Sequence, residues 1–336
     1  MTAQIDDLLD DVTTETAGRR NRGLFRSPGP GFHVGWYPVM LSQDLTAGTV
    51  HGIDLCDGRI ALYRGADGVA RAMTPYCKHM GADLSVGDVI DNDLRCPFHH
   101  WQFGPDGVCS KIPTGDRIPK VAFQRTFTVE DRWGIIWVWW GNGDPLYDVP
   151  GFAEWDDEEW VSLSYQVPLN ERLLVEPWVF TTNAVDFAHF RSVHGVPDLN
   201  PEIEQDDWSM VWTAPFPHPT VGKMTMTLKL VGMNAVVSHS DRAGDILTHI
   251  ATTAPLGESG VQFFVTVATR RGENAQAALE AQQDLHTQLI NEDLPVMNSI
   301  RLGDATLVGS DYGLVSFLRR MREFPRVTFP EIEYPS

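Results

Sequence analysis

The chain is short of cysteine, of basic charge and of long apolar runs, and each shortage excludes something. Four cysteines in 336 residues (Cys56, Cys77, Cys96, Cys109) do not make a disulfide scaffold. Lys+Arg number 26 against 45 Asp+Glu, a formal charge of −19. That sign is wrong for polyanionic partners, so neither nucleic acid nor an anionic membrane is expected. No apolar stretch approaches the ~20 residues of a membrane helix. The N-terminus, MTAQIDDLLDDVTTE, is acidic where a secretory signal is basic and then apolar, so a cytoplasmic protein is expected. A Gly-x-Gly-x-x-Gly turn after a strand is also missing, so no flavin or nicotinamide site is expected. What remains is 43% hydrophobic and 21% charged, an ordinary globular composition with the length of two domains or one large one.

The texture changes along the chain. Residues 1–32 read as a polar arm, with Asp6, Asp7, Asp10, Asp11 and Glu15 ahead of Arg19, Arg20, Arg22 and Arg26; such a run is solvated or packs on a neighbouring subunit. Residues 33–145 read as a small all-β domain. Short runs such as Thr49–Leu55, Ile60–Arg64, Phe127–Glu130 and Gly134–Trp140 alternate with the turns Asp57-Gly58, Asp67-Gly68 and Asp106-Gly107, and no helical period intervenes. Residues 146–336 read as α+β. Glu176–Val193 has helical character, alternating strands span 223–231, 235–239, 246–254 and 261–270, and a long helix over Glu273–Arg301 is expected to be interrupted at Pro295.

The most specific signal is Cys77-Lys78-His79, sixteen residues, then Cys96-Pro97-Phe98-His99. A zinc finger usually collects two cysteines in one arm and two histidines in the other. Here each arm supplies one of each. That arrangement suits a two-iron, two-sulfide cluster, with both thiolates on one iron and both imidazoles on the other. Neutral imidazoles leave their iron easier to reduce and raise the potential above that of an all-thiolate cluster. Cys56 and Cys109 fit neither arm and read as free thiols. A structural zinc site is the alternative.

A second constellation lies in Asn183-Ala-Val-Asp186-Phe-Ala-His189-Phe-Arg-Ser-Val-His194. Asp186 and His189 share one helical face. His194 is five residues past His189, so the helix must end for both rings to reach one point, and Gly195 and Pro197 are placed to end it. Two histidines plus a carboxylate form the facial triad of mononuclear non-haem iron(II). Asp293 is the best third ligand, with its neighbour Glu292 the runner-up.

The first motif is that of the Rieske [2Fe-2S] cluster, and with the second the chain resembles the oxygenase (alpha) component of Rieske non-haem iron oxygenases over roughly residues 35–305. The run Asn-x-x-Asp-x-x-His-Phe-x-x-x-His-Gly is most similar to the branch of ketosteroid hydroxylases and aromatic monooxygenases. Two departures stand out: His100 replaces a frequent glycine after the second Rieske histidine, and Thr182 stands where many relatives carry glutamate. The resemblance implies an N-terminal Rieske domain, then a helix-grip catalytic domain with an antiparallel sheet and a long C-terminal helix. It implies that Cys77, His79, Cys96 and His99 hold the cluster and that His189, His194 and Asp293 hold Fe(II). Asp186 would then not bind metal. It would bridge a Rieske histidine of one subunit to an iron-ligand histidine of the next, in a head-to-tail trimer. Asn183 would act beside the iron site or merely cap its helix.

Such a protein takes electrons from a separate ferredoxin and/or flavin reductase. Residues 71–125 are locally basic, and Lys78 and Arg95 beside the cluster are the expected docking point. The expected reaction is hydroxylation of an apolar, aromatic or steroid-like small molecule by O2, with Met224, Met226, Phe263, Phe264 and the strands 247–254 and 262–268 as apolar lining. Lys223, Lys229, Arg242 or Arg301 could supply one polar contact. Oxidative O- or N-demethylation on the same metals stays open, as does electron transfer alone.

Overall fold

β-Branched and aromatic runs broken by Gly and Asp turns become strands, and the one long run of good helix formers becomes a helix. The computed structural model describes residues 23–333 except 154, 197–198, 219–221 and 243–244, so the acidic and arginine-rich part of the arm lies outside the described residues. Two units divide the chain. One comprises Pro30–Val149, Ala254–Ser259 and the chain from Arg326 onward, and the other takes in Pro150–Thr253 and Gly260–Pro325 together with the segment before Pro30.

The first unit is all-β up to its last helix. Strand β1 (Phe32–His33), β2 (Gly35–Leu41), β3 (Val50–Leu55), β4 (Gly58–Arg64) and β5 (Ala70–Met73) are followed by four short strands, β6 (Asp88–Ile90), β7 (Asp93–Arg95), β8 (Gln102–Phe103) and β9 (Cys109–Lys111). Then come β10 (Thr126–Phe127), β11 (Val129–Arg132) and β12 (Ile135–Trp140). One sheet runs β10-β5-β4-β3, another β11-β12-β2, and a small one β6-β7-β8-β9. All six residues of β12, Ile-Ile-Trp-Val-Trp-Trp, are buried, which is why that strand does not alternate.

The second unit is a seven-stranded antiparallel sheet with helices packed on it, the expected α+β arrangement. Its strands are β13 (Trp160–Gln166), β14 (Ile203–Gln205), β15 (Ser209–His218), β16 (Gly222–Val231), β17 (Ala235–Arg242), β18 (Asp245–Pro255) and β19 (Val261–Arg270). They lie in the order β13-β19-β18-β17-β16-β15-β14. Helix α1 (Pro177–Thr181) leads through a 3-10 turn, Thr182–Ala184, to α2 (Phe187–Ser192); α3 spans Ala275–Ser299 and α4 Tyr312–Glu323. Strand β20 (Arg326–Val327) and helix α5 (Phe329–Glu333) close the described chain.

Two expectations are corrected. Pro295 does not interrupt the long helix, which runs unbroken over 25 residues. Proline removes one backbone bond and crowds the preceding turn, and here neighbouring asparagines hold the helix against that loss. Asn291 accepts from the Asn170 amide and donates to the Pro168 carbonyl, and Asn298 accepts from the Leu174 amide and donates to the Arg172 carbonyl. The end of the chain also does not stay with residues 146–325. β20 pairs with β1, Phe32 opposite Val327, and Val327, Phe329 and Ile332 are buried in the core that contains Tyr37, Val138 and Trp140. Among the described residues no helix is long and apolar enough to cross a membrane.

Candidate metal centres

The small β6–β9 sheet is flanked by two loops of matching construction. In one, the Cys77 amide donates to the Ala82 carbonyl and the Gly81 amide donates back to the Cys77 carbonyl; in the other, Cys96 pairs with Trp101 and His100 with Cys96 in the same way. Each loop turns on a left-handed residue, Gly81 at φ 76° and His100 at φ 58°. Glycine adopts that backbone freely, whereas histidine is strained there, so His100 occupies the position that glycine fills in the sister loop. Cys77 and Cys96 are buried, at 3% and 1% exposure, while His79 and His99 are exposed. Their rings lie 4.5 Å apart, and Trp101 stacks on His79 at 4.5 Å. Burial first, and then the neighbouring Cys96 sulfur, push the Cys77 thiol up to about 11. A thiol in a dry place resists losing its proton without a cation, and coordination to iron supplies one. Two inward sulfurs and two outward imidazoles on paired loops thus fit a cluster at the rim of the unit. Cys109, on β9, is buried beside this core but belongs to neither loop, and Cys56 stands at the β3–β4 turn.

The second centre is set by how α2 begins and ends. Asp186 is its N-cap, and Asp186 Oδ1 accepts from the His189 amide at 3.0 Å. At the other end the Val196 amide reaches back to the Phe190 carbonyl, with Gly195 left-handed at φ 67°. This bond from residue i to i−6 lies outside the helical ladder and stops the helix, turning His194 back toward His189; Pro197, also expected to help, lies outside the described residues. The entry to α2 is held from behind by Gly313 of α4, where an added Cβ would lie 2.5 Å from the Val185 carbonyl oxygen.

His189 Nε2 and His194 Nε2 face each other at 3.1 Å, and each lies 3.5 Å from Asp293 Oδ1. A point about 2 Å from all three atoms exists, the length of a metal–imidazole bond. Among the described residues these three form the group able to hold a metal ion. Asp293 Oδ1 is buried with no hydrogen-bond donor, while Asn183 Nδ2 donates to Asp293 Oδ2 at 3.0 Å. Burial pushes the Asp293 carboxyl up to about 7; the Asn183 hydrogen bond opposes this and nearby Glu292 adds to it. Burial, then His194, lowers His189 to about 4. A neutral imidazole at His189 and a buried carboxylate oxygen without a donor are what a divalent cation satisfies. Glu292 lies 4.0 Å from His194 Nδ1, is 44% exposed and accepts from Gln288, so it stands behind the histidine rather than in the triangle.

Residues 35–122 match the sequence profile of the Rieske [2Fe-2S] domain. The chain therefore carries a Rieske [2Fe-2S] domain. It is 28% identical over 233 residues to the cholesterol 7-desaturase nvd of Bombyx mori, covering 66% of this chain and 50% of that protein. It is 31% identical over 195 residues to the oxygenase component of 3-ketosteroid-9-alpha-monooxygenase from Mycobacterium tuberculosis (strain ATCC 25618 / H37Rv), covering 55% and 49%. The chain thus spans about half the length of these curated relatives. Among solved structures, dicamba monooxygenase bound to dicamba superposes with a TM-score of 0.67 at 22% identity, over 88% of this chain and 97% of that one. NdmB of Pseudomonas putida CBB5 gives 0.69 at 21%, over 89% and 95%. At such identity these structures speak for the fold.

In this fold, the face of α3 that carries Asp293 roofs a cavity of about 200 Å³ over the sheet. Alternate residues of the strands floor it: Met224, Met226 and Leu228 from β16, Val236, Ser238 and Ser240 from β17, Leu247, His249 and Ala251 from β18, as the strand period requires. Phe180, Phe190 and Phe216 close its sides, and His189, His194 and Asp293 lie in its wall. A smaller cavity of about 130 Å³, lined by Asp186 and Phe25, shares Asn183, His189 and Asp293. The lining differs from the expectation in two ways. Phe263 and Phe264 are core side chains, 0% and 1% exposed, with Phe263 edge-on to Phe180. Lys223, Lys229 and Arg301 are exposed and line no part of the cavity, and the Arg242 side chain lies outside the described residues. Missing from the sequence reading are the histidines 249 and 286 and Gln282. None sits in a motif, and only the strand period and the α3 stripe bring them inward.

Proposed function

We propose that the chain is the oxygenase component of a monooxygenase that hydroxylates an apolar, aromatic or steroid-like small molecule with O2: Cys77, His79, Cys96 and His99 would hold a Rieske cluster, which would supply external electrons, and His189, His194 and Asp293 would hold iron(II), which would supply the oxygen chemistry. The observation that carries this reading is the His189–His194–Asp293 triangle set in the wall of an apolar cavity, in a chain that also carries a Rieske domain. The residues divide the work. Asn183 holds one oxygen of Asp293 and leaves the other for the metal. Asp186 orders the first turn of α2, so that His189 is aimed before metal arrives. The phenylalanine and methionine lining keeps water from the site and orients a hydrophobic molecule against it. Sterol-acting relatives, a cholesterol desaturase and a 3-ketosteroid monooxygenase, favour a steroid-like substrate.

The same reading includes assembly and partners. Asp186 Oδ1 is engaged by its own helix, which leaves Oδ2 for a Rieske histidine of a neighbouring subunit, and His79 and His99 are exposed enough to be reached. A trimeric head-to-tail ring would make that contact three times. A ferredoxin or flavin reductase would dock beside the cluster at Lys78. Arg95 contributes less because it is ion-paired with Asp88. Unchanged reduction rates in a Lys78→Glu, Arg95→Glu double variant would remove that docking site.

Metal analysis tests the core of the proposal. Fully loaded protein is expected to hold three irons and two acid-labile sulfides per chain. His189→Ala is expected to lose one iron and keep the cluster spectrum. Two irons in loaded wild-type protein would refute the reading. Coupled oxygen uptake with a surrogate reductase then screens substrates, and formaldehyde in the products would mark demethylation instead of hydroxylation.

A further inference from the structure

Away from the metal ligands the cavity wall changes character. Along α3, His286 precedes Asp293 by seven residues and Gln282 by eleven, about 10 and 16 Å along the axis and on the same stripe. Gln282 is 5% exposed and Ser238 1%, yet Gln282 Nε2 and Ser238 Oγ have no hydrogen-bond partner. Ser238 lies directly opposite His249 across β17 and β18. The His249 and His286 rings meet with centroids 3.9 Å apart, His249 rising from the sheet and His286 descending from the helix. Neither imidazole hydrogen-bonds to a described residue, and the surface each retains faces the cavity.

These four groups make a polar end in an apolar chamber, and the unmatched groups define what would suit it. Burial lowers both histidines, His286 to about 4 and His249 well below its ordinary value, so each ring is neutral at pH 7. A neutral imidazole offers one N–H and one lone pair. Gln282 Nε2 can only donate. A buried donor without an acceptor is destabilising, and a ligand oxygen arriving there removes that penalty. No lysine or arginine lines the cavity, so a carboxylate would enter without a counter-charge.

We propose that this end recognises an uncharged hydrogen-bond acceptor, a ketone or amide carbonyl, on the part of the substrate remote from the reacting carbon, with Gln282 Nε2 as the donor and His249, His286 and Ser238 around it. The inference deepens the oxygenase reading above and rests on it. It makes Gln282 a specificity-determining residue. It also sets a span: the carbonyl sits about 10 Å or more from the metal ligands, so a rigid ring system fits and a small ketone does not reach both ends.

Equilibrium dialysis against the iron-loaded protein tests this. The probes are matched sets: acetylnaphthalene, ethylnaphthalene and naphthoate, and androstanone against androstane. The expected result is about tenfold tighter binding of at least one ketone over its hydrocarbon, the value of one well-placed hydrogen bond. Gln282→Leu should erase that preference while hydrocarbon affinity stays within about twofold; Gln282→Met is the second variant should leucine not fold. Equal binding of every ketone and its hydrocarbon, no binding of any probe, a preference that survives in the variants, or naphthoate as the tightest ligand would each overturn the proposal. Iron content measured on the same samples separates this from failure of the oxygenase reading, which fails on missing mononuclear iron and not on ketone preference.

Discussion

Removing the Asn183 amide without removing its bulk should loosen the mononuclear metal and nothing else. Asn183 sits in the 3-10 turn Thr182–Ala184 and donates to Asp293 Oδ2 at 3.0 Å. A hydrogen bond to a charged acceptor is worth about 1.5–3 kcal/mol net. A supporting residue behind a metal ligand is typically worth about 10–100-fold in affinity, roughly 1.4–2.7 kcal/mol. The two estimates agree, so Asn183→Leu should weaken Fe(II) binding by about one to two orders of magnitude. The pH dependence has a definite sign. In the metal-free protein Asp293 is raised to about 7, and the Asn183 bond is what opposes that rise. Without it the carboxyl holds its proton to higher pH, so proton competition grows. The deficit should therefore be larger at pH 6.5 than at pH 8. The assay is anaerobic Fe(II) titration of protein stripped at the mononuclear site, in competition with a chelator, with the visible spectrum of the Rieske cluster as internal control. Affinity within twofold of wild type at pH 7 would refute the role given to Asn183. An equal loss with bleaching of the cluster would mean general damage and refute it as well.

Three other perturbations follow from the same geometry. Gly313→Ala puts a methyl 2.5 Å from the Val185 oxygen and 2.9 Å from Phe187, on both sides of Asp186. It should cost about 1–3 kcal/mol in thermal or urea unfolding and weaken metal uptake, whereas Gly303→Ala, with nothing within 4 Å, should do neither. His100→Gly relieves a left-handed residue at φ 58° and should raise the unfolding midpoint by the equivalent of about 0.5–1 kcal/mol with the cluster spectrum intact; a lower midpoint would contradict the strain argument. His286 is held near 4 against an ordinary 6.5, so the fold favours its neutral form. Its contribution is complete above pH 6.5 and is lost as pH falls toward 4, by up to about 3 kcal/mol. Denaturant melts at pH 7 and pH 5 should show this slope, and His286→Leu should flatten it.

The Rieske loops were legible in the sequence because each is local. Cysteine and histidine sit two or three residues apart on a single turn, and the turn closes on itself through Cys77–Ala82 and Cys96–Trp101 backbone bonds. Even the oddity at His100 could be seen as an unusual residue, although only the backbone angle says what glycine would have supplied there. Strands bounded by Asp-Gly turns were equally readable. The return of β20 and α5 to the first unit was not. Phe32 and Val327 are paired across nearly the whole chain, and nothing in the two-residue run Arg326–Val327 distinguishes it from a loop. The unbroken course of α3 past Pro295 escaped for a similar reason, since the asparagine clamps that hold it reach residues 168–174.

The second centre shows where local pattern stops and topology takes over. Sequence put Glu292 and Asp293 side by side and could only rank them, because neighbours on a helix point about 100° apart and the histidines are a hundred residues away. The structure separates them by facing: Asp293 continues the buried stripe through Gln282, His286 and Ile290, whereas Glu292 turns outward to Gln288. That same stripe explains why the polar end of the cavity left no trace in any motif. Ser238, His249, Gln282 and His286 lie on three elements, and they converge only because β17 pairs with β18 in one register and α3 lies across both. A one-residue slip of β18 would turn Leu247, His249 and Ala251 to the opposite face at once. The register that makes the floor apolar therefore also delivers its histidine, and mutations that disturb one should disturb the other.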